Sequence, residues 1–208
     1  AGLPTYLGYP VMLTRPETSQ DVTSTYVRIM EMIDNGSDLP GHVDTAGVSF
    51  SAISHRFDPV GRQQQAQFRS LLYFLRGRLK SVWVPTFNQD LTRVRNALAS
   101  DVSLSFGNVG YARFGQDKPG KRDIRIERRN APDLFFRIEA SGVDEGDPEV
   151  ELLTLDRPVG VALNVSDILR VSFMARCRLD QDAVELNHIT VDGEVFANVT
   201  FRSLRDDL

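Results

Sequence analysis

Beyond about Ala99 the chain is written almost wholly in short alternating runs, over residues 102–106, 111–114, 123–129, 134–140, 150–155, 168–179, 184–191 and 195–204. Gly, Pro, Asn and Asp separate nearly all of them. Runs of this length and period suit half-buried strands, and closely spaced strands form sandwiches or barrels because an open sheet leaves unpaired backbone groups along its edges. The second half therefore reads as an antiparallel β-domain. Asp192-Gly193, between two alternating runs, is its clearest tight hairpin.

The first half is mixed. Pro4, Pro10 and Pro16 each fix their own φ and push the preceding residue towards extended geometry, so residues 1–20 read as an extended arm that lies across a neighbouring surface of the same chain or of another subunit. Residues 22–33 alternate, with Val27, Ile29 and Ile33 on one side and Tyr26, Arg28 and Met30 on the other, and Asp34-Asn35-Gly36 ends that strand in a turn. A loop through Pro40 and Gly41 leads to a second strand over 48–57. Asp58-Pro59 is a helix-start signal. Phe68, Leu71, Leu72, Leu75 and Leu79 then fall at helical spacing and make one apolar stripe. Gly77 stands near the helix end, and Val82-Trp83-Val84 has strand character halted by Pro85. The expected fold is mainly β, and α+β in the N-terminal half: a β-sandwich-like domain with one packed helix over 21–99, followed by a second antiparallel β-domain over 100–208.

Composition narrows the function classes. Of 208 residues, 41% are hydrophobic and 25% charged, as in ordinary globular proteins, and the net charge of −4 comes from interspersed signs. No basic footprint for nucleic acid or anionic lipid is present. Cys177 is the only cysteine, so neither an intramolecular disulfide nor a multi-cysteine metal site can form. No run approaches the ~20 apolar residues of a membrane-spanning helix, and Ala1-Gly2-Leu3-Pro4 does not open a signal peptide, which predicts a chain that is neither inserted nor exported.

No catalytic pattern stands out. The G-x-S-x-G elbow and the phosphate-binding glycine loops are absent, and Gly107-Asn108-Val109-Gly110 reads as a turn. His42, His55 and His188 have no ligand spacing. Asp144, Glu145, Asp147 and Glu149 could serve a carboxylate-dependent hydrolase or a weak calcium site, but a solvated loop between strands accounts for them better. Cys177 reads as a small buried strand residue rather than a nucleophile. No catalytic, cofactor-binding or metal-binding residue is nominated, no cofactor is expected, and the chain reads as a structural protein rather than an enzyme.

The segment FRSLLYFLRGRLKSVWVPTFNQDL, from Phe68 to residue 91, resembles tail-tip proteins of tailed bacteriophages, of the distal tail or upper baseplate type. Its helix carries Phe68, Leu72, Phe74 and Leu75 and ends in Gly77-Arg78. A strand with Trp83 follows, then Pro85 and Asp90-Leu91. Residues 168–188 are similar to the second half of such proteins. The resemblance implies a virion protein, assembled in the bacterial cytoplasm, that forms a homo-oligomeric ring, a hexamer, joining the tail tube to the hub or host-binding apparatus. It implies an N-terminal belt that assembles through Phe68, Leu72, Leu75, Gly77, Arg78, Trp83, Pro85 and Asp90, and no transferable catalytic residue. Trp83 could anchor the helix in the core or sit at a subunit contact. The alternative is a carbohydrate-binding β-module for host attachment.

Overall fold

A computed structural model describes residues 3–17, 23–34, 36, 41–45, 47, 49–189 and 194–204. In chain order the elements are β1 (Thr5–Tyr6), β2 (Tyr9–Pro10), β3 (Thr23–Val27), β4 (Met30–Ile33), β5 (Gly41–Asp44), β6 (Phe50–Phe57), α1 (Gly61–Leu75), β7 (Val82–Pro85), β8 (Ser103–Gly107), a π-helix (Tyr111–Gly115), β9 (Asp123–Arg128), β10 (Leu134–Asp144), β11 (Asp147–Leu155), β12 (Ile168–Leu179), β13 (Asn187–His188) and β14 (Val195–Ser203). The protein is mainly β, with antiparallel ladders and one packed α-helix among the described residues. It divides into two compact units: the described residues of Ala1–Leu13 and Trp83–Arg176, and those of Thr14–Val82 and Cys177–Arg205.

In the first unit the strands follow the order β8-β11-β10-β9-β12, and β7 also pairs with β12. Alternation along β9 places Ile124 and Ile126 in a core with Leu104, Phe106, Phe136, Leu153 and Phe173, while Asp123 and Arg125 take the opposite face. A second, smaller core of Tyr6, Val11, Trp83 and Met174 is completed by the N-terminal hairpin β1–β2. Residues 3–13 thus lie against their own unit, folded back as a hairpin rather than as one extended run. Their prolines permit extended backbone, but Tyr6, Val11 and Met12 are apolar enough to be drawn into the unit and buried.

In the second unit the order is β3-β6-β14, with the end of β12, Cys177 to Leu179, pairing against β14. Along β14 Val195, Ala197, Val199 and Phe201 are buried and the residues between them are not, a clean period of two. Helix α1 packs through Phe68, Leu71 and Leu75, and the Phe68 ring lies 5.4 Å from Phe57. A boundary near Ala99 would fall inside the first unit, because compactness follows strand pairing rather than chain order.

Several local expectations differ from the structure for identifiable reasons. Residues 111–114 form a π-helix instead of a strand, because Gly110 turns the chain at φ 77° and the Glu151 carboxylate accepts N–H groups that a ladder would otherwise take. Of residues 184–189 only Asn187–His188 is strand, and Val184 and Leu186 face the cavity beside α1. The run 22–33 breaks at Arg28 and Ile29 because β3 pairs with β6 while β4 pairs with β5. Asp58 does not cap α1. Its carboxylate accepts from Arg56 at 2.9 Å, and Val60 holds the cap position. Leu79 lies beyond the helix and is 73% exposed, and Pro85 closes β7 from within it. Asn35, Pro40, Val48 and the Asp192-Gly193 turn lie outside the described residues.

Candidate functional site

Helix α1 ends in a turn that shapes the surface beside it. Arg76 adopts left-handed backbone at φ 50° and donates its N–H to Leu72 O at 3.2 Å, and Lys80 N donates to Leu75 O at 3.0 Å. Gly77 follows at φ 65°, where a Cβ would stand 2.7 Å from Asp182 Oδ1 and 3.2 Å from Asp182 Cα, so only glycine fits. Asp182 then accepts the Arg78 N–H at 3.0 Å and clasps the turn. Between helix and clasp lies a cavity of about 380 Å³ lined by Arg69, Leu72, Tyr73 and Gly77 on one side and by Leu179, Asp182, Val184 and Leu186 on the other. Its walls mix the aliphatic side chains of Leu72, Leu179, Val184 and Leu186 with the polar groups of Arg69, Tyr73 and Asp182. Tyr73, at its rim, is 81% exposed. From Gly61 to Lys80 the chain carries Arg62, Arg69, Arg76, Arg78 and Lys80 and no acidic residue, while across the cavity the Asp182 carboxylate stands 3.9 Å from Arg78 Nε.

The same unit bears the hairpin β4–β5. Met30 pairs with Asp44, Glu31 with Val43, Met32 with His42 and Ile33 with Gly41. Cross-strand partners share a face, so Met30 and Met32 point one way and Glu31, Ile33 and Val43 the other. Seven of its eight residues are exposed, and Asp44 is half-buried. The hairpin is tied at its base by Arg28 Nε to Asp44 Oδ2 at 2.6 Å and by Thr45 N to Ile29 O at 3.3 Å. Ile29, Met30, Met32, Ile33 and Val43 are thereby all held in solvent.

The residues nominated from the sequence fall in both units. Phe68 and Leu75 are buried under α1, Leu72 is half-buried at the cavity, and Gly77 and Arg78 form the turn. Trp83, Pro85 and Asp90 belong to the first unit. Trp83 is buried there, its Nε1–H donating to Tyr6 O at 2.9 Å and its ring 5.2 Å from that of Tyr6. Pro85 is buried in β7. The Asp90 carboxylate accepts the Phe173 N–H at 2.8 Å and the Thr86 hydroxyl, which pins the loop after β7 onto β12. Helix and strand are thus adjacent in the chain but serve different cores.

Elsewhere the polar groups are engaged in holding the fold. Asp123, fully buried, accepts the Tyr6 hydroxyl at 2.7 Å and two Arg137 N–H groups at 3.0 Å each. Burial, then the Asp123 charge, pushes the Tyr6 phenol well above its ordinary range, so it remains a donor. Glu151, also buried, accepts from Val109, Tyr111 and Ala112 at 3.3, 3.1 and 3.0 Å. Neither residue is conspicuous in sequence. The only signal is a charge at a strand position whose neighbours are apolar, as in Asp123-Ile124 and Val150-Glu151-Leu152.

The acidic segment 144–149 proves to be the end of β10, a turn at Glu145-Gly146 and the start of β11. Hydrogen bonding from Arg95 at 2.6 Å, and from Gly146 N, holds the Asp144 carboxyl below the usual carboxylate range, opposite to the raised value a general acid needs. Burial pushes the Cys177 thiol up to about 12, which keeps it protonated and unreactive at neutral pH. Among the described residues no group of three or more His, Cys, Asp and Glu is placed to hold a metal ion, and no helix is long and apolar enough to cross a membrane.

No family model matches the chain, and no curated protein sequence matches it.

Proposed function

We propose that this chain is a non-enzymatic structural subunit that works by assembling with copies of itself, and that the assembly is the ring of a bacteriophage tail tip or baseplate between tail tube and hub. The observation that carries the assembly reading is the β4–β5 hairpin, whose apolar residues stand in solvent on both faces. A two-stranded hairpin is marginal by itself, and contiguous exposed apolar surface marks sites that another molecule covers. The tail-tip assignment is supported by the order of Gly77-Arg78, Trp83, Pro85 and Asp90 on a helix-to-strand unit, which resembles those proteins. A ring subunit needs two different surfaces that meet head to tail, and heterologous contacts of that kind close when the rotation between copies divides a full turn.

Mass photometry and negative-stain microscopy of the purified full chain test this reading, with closed rings of one subunit number, a hexamer, as the expected result. A strictly monomeric chain, alone and with tail-tube and hub proteins, would sink the assembly reading. Rings that bind neither of those proteins would leave an assembling subunit and remove the tail-tip assignment.

A further inference from the structure

We infer that the cavity beside α1 is a saccharide-binding site that seats a sugar ring of a glycan. This goes beyond the assembly reading and does not rest on it. The cavity holds about 380 Å³, within the roughly 300–1,000 Å³ of sites that seat small ligands. Its lining joins two kinds of surface. Leu72, Leu179, Val184 and Leu186 are aliphatic, whereas Arg69, Tyr73 and Asp182 bring a guanidinium, a phenol and a carboxylate.

That mixture narrows the ligand. A wholly apolar molecule would strip water from Arg69 and Asp182 and return no hydrogen bond, which is costly for charged groups. An inorganic anion would meet Arg69 but be repelled by Asp182, a metal cation would meet the reverse, and either would leave the aliphatic walls wet. A pyranose ring answers both surfaces. Each of its hydroxyls can donate to a carboxylate and accept from a guanidinium, and its C–H faces cover aliphatic and aromatic carbon. The protein groups are free to take part. Asp182 Oδ1 accepts the Arg78 N–H at 3.0 Å, but Oδ2 lies 3.9 Å from Arg78 Nε, beyond hydrogen-bond distance, and the side chain is 76% exposed. Arg69 makes no ion pair among the described residues. Tyr73 offers its ring at the rim, where a sugar face can stack on it. The site is also formed in advance, since the Gly77 turn holds Asp182 against the end of α1 before any ligand arrives. A zwitterion would match both charges as well, but Arg78 already compensates Asp182, so no ligand ammonium is called for.

Saturation-transfer NMR on the full-length chain tests the site with glucose, galactose, rhamnose and N-acetylglucosamine, and with leucine and butyrate as a zwitterion and an apolar acid. At least one sugar should take up saturation at its ring C–H protons, and leucine and butyrate should not. Tyr73→Ala and Arg69→Gln change exposed side chains, so both variants keep the wild-type melting transition. Each should weaken sugar binding by about tenfold or more. Tyr26→Ala, which removes an equally exposed tyrosine outside the cavity, should leave binding unchanged. No transfer to any of these sugars, transfer that survives both cavity substitutions, or uptake by leucine or butyrate in place of sugar would overturn the saccharide site. The measurement reads the chain whether or not it assembles, so each of those results would leave the ring reading standing.

Discussion

Two hairpins of this protein are built alike and situated oppositely. In the first unit β10 and β11 lie between β9 and β8, and Phe136, Ile138, Leu153 and Leu155 face a closed core. In the second unit β4 and β5 pair only with each other among the described residues and hold their apolar side chains in solvent. The first hairpin gains about 25 cal/mol for each Å² of apolar surface it covers, and its turn is pinned by Asp144 to Arg95. The second gains almost none of this within one chain. Equal alternation thus yields a core strand where a complementary face is at hand and a displayed ribbon where none is.

The sharpest way to break that comparison is a matched truncation. Leu153→Ala should cost about 2–5 kcal/mol in chemical denaturation, because it opens a cavity in a closed core. Met32→Ala should change the stability of the unassembled chain by no more than about 0.5 kcal/mol. Equal costs would mean that the second hairpin is packed after all. Next in size is Glu151→Gln, expected at about 2 kcal/mol, since the neutral amide replaces a charged acceptor and turns an NH2 group towards backbone donors. Amide hydrogen exchange should locate the loss at residues 109–115 rather than across the sheet.

Gly77→Ala should destabilise by about 1–3 kcal/mol, because left-handed backbone is strained for alanine and its Cβ meets Asp182. A melting temperature equal to wild type would remove the clasp from the account of the cavity. The smallest effect concerns His55, buried in the second unit. Burial holds its folded-state pKa below 6.5, so between those values the unfolded chain binds a proton that the folded chain refuses. Its contribution is complete above pH 6.5 and is lost as pH falls through 6.5 towards the folded value, by at most about 1.4 kcal/mol per pH unit. His55→Leu should flatten that slope, and an unchanged acid limb in denaturation from pH 7 to 5 would show that His55 does not set it.

How much of this was legible before the coordinates depends on how local the cause is. The stripe Phe68, Leu71 and Leu75 marks a helix by spacing alone, and the alternation of β14 is visible residue by residue. Leu79 continues the spacing but not the helix, because Arg76 and Gly77 have already turned the backbone. Trp83 sits a few residues from that helix yet packs on Tyr6, a partner 77 positions away in the chain. The cavity was legible only in halves. Leu72 and Gly77 stood out on the helix side, whereas Val184 and Leu186 read as part of a strand over 184–191 and Asp182 carried no signal.

The sequence by itself determined the type of α1 and of most strands, though not of the π-helix at Tyr111–Gly115, because side-chain period, turn residues and propensity act over a few neighbours. Only the tertiary structure decided which apolar runs are covered, that the N-terminal segment folds into the first unit, and that Asp123 and Glu151 are interior anchors. Burial depends on what arrives opposite each side chain, and those partners come from strands distant in the chain.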